Sequence, residues 1–204
     1  MGIKVVKFGG SSLADAKQFE KVANIIRADE DRKYVVPSAP GKRFKEDDKV
    51  TDLLYKCFES AGKPEFADVF GKIRERYSDI VKGLGIEFPL EEELARIESS
   101  ILNKAGRDYA ASRGEYLNAR ILSVYLGYEF IDAAEVVFFK DDGTLDSEKT
   151  NTVLSERLES IERAVIPGFY GSMPNATIKT FSRGGSDISG AIVARAASAD
   201  VYEN

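Results

Sequence analysis

Histidine is missing from all 204 residues, and cysteine occurs once, at Cys57. Without imidazole there can be no His-based catalytic triad, no histidine metal site and no use of the commonest general base. A lone cysteine excludes an internal disulfide. Cys57 lies at apolar spacing with Leu53, Leu54 and Phe58, and reads as core filler rather than as a nucleophile. No apolar run is long enough to span a bilayer, and the N-terminus has no signal-peptide core, so no membrane partner and a cytoplasmic location are expected. Internal repeats, low-complexity tracts and flexible linkers are lacking as well. Neither G-x-x-x-x-G-K-[ST] nor G-x-G-x-x-G occurs, which removes the common NTPase and dinucleotide readings. The net charge of −5, from 29 basic and 34 acidic residues, argues against general nucleic-acid binding.

Two glycine-rich turns are present, one near each end of the chain. Ile3-Lys4-Val5-Val6-Lys7-Phe8 is a β-branched and aromatic run that reads as a strand, followed by Gly9-Gly10-Ser11-Ser12 and then a helical pattern with Phe19, Val22, Ala23 and Ile26 on one face. Strand, glycine turn and helix together present backbone N–H groups to phosphate oxygens. Lys7 ends the strand and reaches the same oxygens as a mobile point charge. The second turn, Phe181-Ser182-Arg183-Gly184-Gly185-Ser186-Asp187, lies between the strand-like Ile178-Lys179-Thr180-Phe181 and an alanine-rich helix pattern. Its paired glycines are expected to take positive φ and turn N–H groups toward an anion. Arg183 offers a fork for a carboxylate or phosphate, and Asp187 can orient a cation in the same pocket.

Between these turns strand and helix patterns alternate. Lys33-Tyr34-Val35-Val36 reads as a buried strand running into Pro37-Ser38-Ala39-Pro40-Gly41, where regular structure must stop. Residues 42–48 are a mixed charge run, read as a solvated loop that could also fold over the pocket. Helical patterns cover about 50–61, 65–83 and 91–105, a long insert for a βαβ array. Arg113-Gly114-Glu115 reads as the opening of a further helix ended by Gly127. On bare spacing Glu115 is a first-turn acid and Arg113 a surface charge. Residues 128–132 and 134–139 look strand-like, Asp141 and Asp142 beside Gly143 look like turn formers, and 150–162 looks helical. Ala164-Val165-Ile166 reads as another strand, and a new one begins near Asp200. The composition, 43% apolar and 31% charged, fits one globular α/β domain. The expected architecture is a three-layer αβα sandwich with a mainly parallel central sheet, and Gly10 and Gly185 on one shared site.

KFGGSS, VVPSAPG at 35–41, RGE at 113–115, PGFYGS at 167–172 and SRGGSD at 182–187 occur in the order and approximate spacing of the aspartate kinases, which this sequence resembles over nearly its whole length. The pairing of KFGGSS with RGGSD carries most of the resemblance. Other amino acid kinases, such as acetylglutamate or uridylate kinase, share the glycine turns but are not expected to carry both RGE and SRGGSD. The resemblance implies ATP-dependent phosphorylation of the side-chain carboxylate of L-aspartate, with ATP and magnesium as cofactors. A carboxylate acceptor is ionised near neutral pH and needs no base, in keeping with the missing histidines. The requirement is electrostatic, and lysines, backbone N–H groups and magnesium meet it.

The resemblance also assigns residues. Lys7 would stabilise the transferring phosphoryl group, while Phe8, Gly9, Gly10 and Ser11 cradle phosphates. Glu115 would meet the substrate's ammonium group, Arg183 its α-carboxylate, and Asp187 would organise the cationic groups or touch the amine. Ser38, Thr51, Gly184, Gly185 and Ser186 complete the substrate side; no residue is assigned to a resident metal. Two features depart from the family: two prolines in VVPSAPG, and the RFKEDDK insertion between Ser38 and Thr51. Residues 1–204 then read as the amino-acid-binding lobe of a kinase domain with a helical insert near 50–105, cut on its C-terminal side. That lobe is expected to be inactive alone and to come from a homodimer or larger assembly. The alternatives are a related kinase with another acceptor and a non-catalytic ligand-binding or regulatory subunit.

Overall fold

The computed structural model describes residues 2–182 and 185–204. Its centre is the pair β1 (Lys4–Phe8) and β2 (Arg32–Pro37), joined in parallel with Val6 opposite Val35 and Phe8 opposite Pro37. Beyond β2 lie β4 (Ala164–Val165) and then β3 (Glu129–Phe130), and beyond β1 lies β7 (Val201–Glu203). The sheet is therefore five-stranded, ordered β3-β4-β2-β1-β7, and every pairing in it is parallel. Such a sheet must be covered on both faces, and the strand alternation divides the core accordingly. Val6, Val35 and Val165 enter one apolar cluster, whereas Val5, Tyr34, Val36 and Ala164 enter another.

The first cluster is roofed by α1 (Ala16–Arg27), α2 (Val50–Ser60), α3 (Glu65–Leu84), α4 (Leu90–Leu102) and α5 (Arg107–Leu126). The second is covered by α6 (Ala133–Val136), α7 (Ser147–Glu159) and α8 (Gly185–Ala196). The expected α/β sandwich is thus present, and α2 to α4 form the helical insert. Cys57 is fully buried in the first cluster, where loss of hydration pushes its thiol up to about 12, as expected of core filler. Helix boundaries follow local chemistry. Asp15 accepts the Gln18 N–H at 2.9 Å and starts α1 as its cap. Gly127 closes α5 in the left-handed region at φ 72°.

Several expectations are corrected. Residues 134–139 are not a strand: Asp132 accepts the Ala134 N–H at 3.0 Å and winds the segment into α6, leaving only isolated bridges at Phe138 and Phe139. RGE does not open a helix. α5 begins six residues earlier, after Gly106 at φ 102°, and Arg113, Gly114 and Glu115 are buried in its middle. A helix enclosed on most sides shows little amphipathic pattern, so its start could not be read from periodicity. The strand before the second glycine turn, β6 (Ile178–Thr180), pairs antiparallel with β5 (Tyr170–Ser172) outside the parallel sheet. The link between them is too short for a parallel crossover, and Met173 N–H closes it onto Thr177 O at 2.8 Å. The 42–48 run is anchored, with Asp47 only 8% exposed. Asp142 is the turn former expected, its Oδ1 accepting from both N–H and hydroxyl of Thr144 at 2.9 and 2.6 Å.

The loops leaving β1 and β2 touch backbone to backbone. A Cβ on Gly41 would stand 2.6 Å from Gly10 C and 2.8 Å from Ser11 N, and one on Gly10 would stand 2.8 Å from Ala39 O. These neighbours are main chain and cannot swing aside. Gly41→Ala is therefore expected to destabilise the fold by about 1–3 kcal/mol, which thermal unfolding followed by circular dichroism should register as a clear drop in Tm. An unchanged Tm would mean that the two loops do not meet this closely.

Candidate active site

The carboxyl ends of β1 and β2 point to the same edge of the molecule, and three elements beginning there close a cleft of about 420 Å³. The first is a 3₁₀ turn, Gly10–Leu13, entered from Gly9. The second is the start of α2, behind Lys49, and the third is the start of α8. No side chain among the described residues caps the 3₁₀ turn or α2; the Val50 N–H at the start of α2 is instead taken by Pro40 O at 3.2 Å, and the Ser12 N–H of the turn by Gly9 O at 3.0 Å.

Of the residues singled out in the sequence, Lys7, Gly9, Gly10, Ser38, Thr51, Glu115, Gly185, Ser186 and Asp187 all line this cleft. The two glycine turns thus share one site. Phe8 lines an adjoining cavity of about 400 Å³ on the β7 side, together with Lys7 and Gly9. Ser11 is exposed and stands outside the cleft lining. Arg183 and Gly184 lie outside the described residues. In the first turn Gly9 is extended at φ −73°, ψ 166°, and Gly10 is required by its close contact with the Ala39–Gly41 backbone. Gly185 is required for a similar reason, because a Cβ there would fall 2.7 Å from Phe181 Cβ and 2.9 Å from the Phe169 ring.

Sequence reasoning missed three lining residues, Lys49, Asp52 and Phe169. The first two flank Thr51 at a helix start, and that adjacency was the available signal. Phe169 is different. It holds φ 81°, a conformation costly for a bulky residue, and its N–H donates to Ser189 Oγ at 2.9 Å while that hydroxyl donates to Gly185 O at 2.8 Å. The strain pins the PGFYGS turn against the start of α8, where a Cβ on Gly168 would come within 3.1 Å of Ser186. Lys49, Thr51, Asp52 and Phe169 also border a larger groove of about 1160 Å³ reaching toward Arg107 and Lys179.

Charge is laid out unevenly across the cleft. Lys7 Nζ lies 2.6 Å from Asp187 Oδ1, with the lysine largely buried and the aspartate about half exposed. Glu115 also lines the cleft, 5% exposed, and its Oε2 has no hydrogen-bond partner among the described residues. Burial pushes its carboxyl up to about 8, partly offset by the Ala39 N–H. Its neighbour Arg113 forms no ion pair with it and adds only the smallest of the pulls toward ionisation; the guanidinium lies 4.6, 4.4 and 5.3 Å from the ring centroids of Tyr109, Tyr116 and Tyr170. The cleft thus holds both a lysine suited to anionic oxygens and a buried acid with no ion-pair partner among the described residues. Among the described residues no group of three acids is clustered as a resident metal site.

The buried acid makes a pH prediction. Because the folded-state value lies above the ordinary 4.5, the protonated carboxyl contributes stability that is complete below about pH 4.5 and lost as pH rises to about 8. Glu115→Gln keeps the shape and removes the titration. It should be more stable than the native protein at pH 8.5, by on the order of 3–5 kcal/mol, with the difference closing toward pH 4.5. Urea denaturation at the two pH values tests this, and parallel pH profiles would refute the buried-acid assignment.

Comparison with known proteins places this geometry. The amino acid kinase family model matches residues 2–204. Aspartokinase 3 of Bacillus subtilis is 38% identical over 221 residues, covering 99% of this chain and 48% of its own length. The crystal structure of Clostridium acetobutylicum aspartate kinase superposes with a TM-score of 0.97 at 53% identity, covering 100% of this chain and 47% of its own. That of E. coli aspartokinase III in complex with lysine and aspartate gives 0.85 at 25% identity, covering 98% and 48%. The chain spans about half the length of these relatives. No helix among the described residues is long and apolar enough to cross a membrane. With a family match running from the first strand to the last, and a cleft where two glycine turns converge, this chain belongs to the amino acid kinase family.

Proposed function

We propose that this chain forms the acceptor-binding part of an aspartate kinase, which transfers the γ-phosphoryl group of ATP to the side-chain carboxylate of L-aspartate. The supporting observation is the meeting, in one cleft, of Lys7 and the 3₁₀ turn with the buried carboxyl of Glu115, whose Oε2 has no partner among the described residues. Relatives named aspartate kinase on both the sequence and structure sides point the same way, and one of them was crystallised with aspartate.

In this reading a carboxylate oxygen of aspartate attacks the γ-phosphorus, the bond to the β-phosphate oxygen breaks, and ADP leaves with that electron pair. The products are ADP and 4-phospho-aspartate, and no proton has to be removed from the nucleophile. Lys7 and the N–H groups at the start of the Gly10–Leu13 turn stabilise charge on the transferring group, with Asp187 fixing the lysine's position through its 2.6 Å contact. Glu115 receives the α-ammonium group. An arriving cation favours the ionised carboxyl, so substrate binding relieves the penalty that burial imposes on it. An acceptor with two acids and no amine gains nothing there. Magnesium would arrive on the triphosphate and needs only one or two protein carboxylates, which Asp187 and Asp52 at the cleft can supply. Assembly of the intact enzyme as a homodimer or larger oligomer, and a cytoplasmic location, are part of the same proposal.

The test is steady-state kinetics of the intact enzyme with ATP, magnesium and aspartate. Lys7→Ala is expected to lower kcat by on the order of 10²-fold with a small change in aspartate KM, whereas Glu115→Ala should act chiefly by raising aspartate KM. Wild-type kinetics for Lys7→Ala would remove it from the mechanism. Failure of the unaltered enzyme to form ADP with aspartate would overturn the proposed function itself.

A further inference from the structure

Arg76 lies on α3, outside the cleft lining, yet its guanidinium is spent on the loop that carries two sides of the cleft. The side chain is 3% exposed. Nη1 donates to Gly41 O at 2.8 Å, and Nη2 donates to Asp47 Oδ2 at 2.5 Å and to Asp48 O at 3.1 Å. These acceptors stand at the two ends of the 42–48 excursion. Immediately before it comes the Ser38–Gly41 turn, and immediately after it come Lys49, Thr51 and Asp52, so both flanks line the cleft. The excursion is also drawn in from within: Arg43 gives Asp47 its backbone N–H at 2.9 Å, its Nε at 2.9 Å and its Nη2 at 3.0 Å.

We propose that Arg76 is a positioning residue for the acceptor, with Asp47 as its partner: by tying Gly41 to Asp47 and Asp48 it sets the distance between the Ser38 turn and the start of α2. The inference rests on the proposed function for the identity of the acceptor. The route is physical at each step. Gly41 transmits the constraint inward, because its N–H donates to Gly10 O at 2.8 Å and its backbone has no room to move against the 3₁₀ turn. Val50 N–H donates to Pro40 O at 3.2 Å, so the first residue of α2 is registered against the same turn. A mixed charge run of this length in solvent would cost entropy to order; two arginines converging on one buried carboxylate supply what holds it. The guanidinium fork suits the task, since a lysine cannot reach three acceptors at separate angles.

The experiment compares Arg76→Met, Arg76→Lys and Asp47→Asn with the unaltered intact enzyme. Arg76→Met and Asp47→Asn are expected to raise aspartate KM roughly tenfold or more while kcat at saturating aspartate stays within about threefold, and Arg76→Lys should fall between. A purely structural role would lower Tm and leave KM alone. Limited trypsin digestion of the same folded proteins gives a reading that needs no turnover: cleavage after Arg43 and Lys45 should accelerate in Asp47→Asn and Arg76→Met. Aspartate KM within about twofold of the unaltered enzyme in both variants would overturn the inference, whatever their Tm. If Arg76→Met does not fold, Asp47→Asn decides. If the unaltered enzyme does not accept aspartate, the proposed function fails by itself, and unchanged cleavage in folded Asp47→Asn would then overturn the inference independently.

Discussion

Two loops leaving adjacent parallel strands meet at Gly10 and Gly41 with no side chain between them, and the cleft is built outward from that contact. Pairing of β1 with β2 brings the strand ends together, and Ser38 N–H donating to Phe8 O at 3.0 Å carries the register one residue past the sheet. From there the chain has to diverge without opening a gap. A glycine on each side allows the two backbones to touch, with the Gly41 N–H on Gly10 O at 2.8 Å. The phosphate-side turn, the Ser38 turn and the start of α2 thereby become one unit. The start of α8 is joined to it by a charge pair, Lys7 with Asp187.

The opposite wall is made by α5, and its three central residues show how one helix serves three purposes. Gly114 lets the helix press onto Ala39, whose Cβ would lie 2.7 Å from a Cβ placed there, and its carbonyl accepts the buried Tyr77 hydroxyl at 2.8 Å. Arg113 leaves on the far side into three tyrosine rings, which accommodate its charge without a carboxylate. Glu115 faces the cleft. Asn118, one turn on, donates to Ser38 O at 2.8 Å and locks the helix to the same turn that Gly41 ends. The acid is therefore held in a dry, rigid wall, which is why hydration loss dominates its titration.

Where sequence reading succeeded, the signal was local. β1 and β2 are short β-branched runs ending at glycine or proline, and α2 to α4 show long one-sided apolar patterns, so these elements and the three-layer plan were legible. Where it failed, the deciding contact was distant in sequence. Tyr109 and Tyr116, a helical turn to either side of Arg113, were a local signal, but the third ring that encloses it, Tyr170, is far along the chain, so a buried mid-helix segment looked like a helix start. Residues 134–139 have strand composition, but one capping aspartate and the pairing of Phe139 with Ser172 determine their conformation. Residues 42–46 are exposed as read, and only the anchoring of Asp47 was missed, because the residue that buries it, Arg76, is 29 positions away. Lys7, Glu115 and Asp187 were found because motifs marked them, and Lys49, Asp52 and Phe169 were not because no motif does.

The missing histidines and the unpartnered glutamate bear on one another. A cleft without imidazole is poorly equipped to deprotonate an alcohol or amine, but an ionised carboxylate acceptor asks for no proton transfer. Selectivity then becomes the harder task, because any small carboxylate could approach the same lysine and N–H groups. A buried acid resolves it. Left alone, Glu115 is held protonated by its surroundings up to about pH 8, and it becomes a favourable carboxylate only when a ligand brings a cation to it. Ionising it below that pH costs free energy, and only a ligand that brings an ammonium group to Glu115, besides an anionic group to Lys7, offsets that cost. Under the proposed reading, a group that takes no part in phosphoryl transfer decides which carboxylate is phosphorylated.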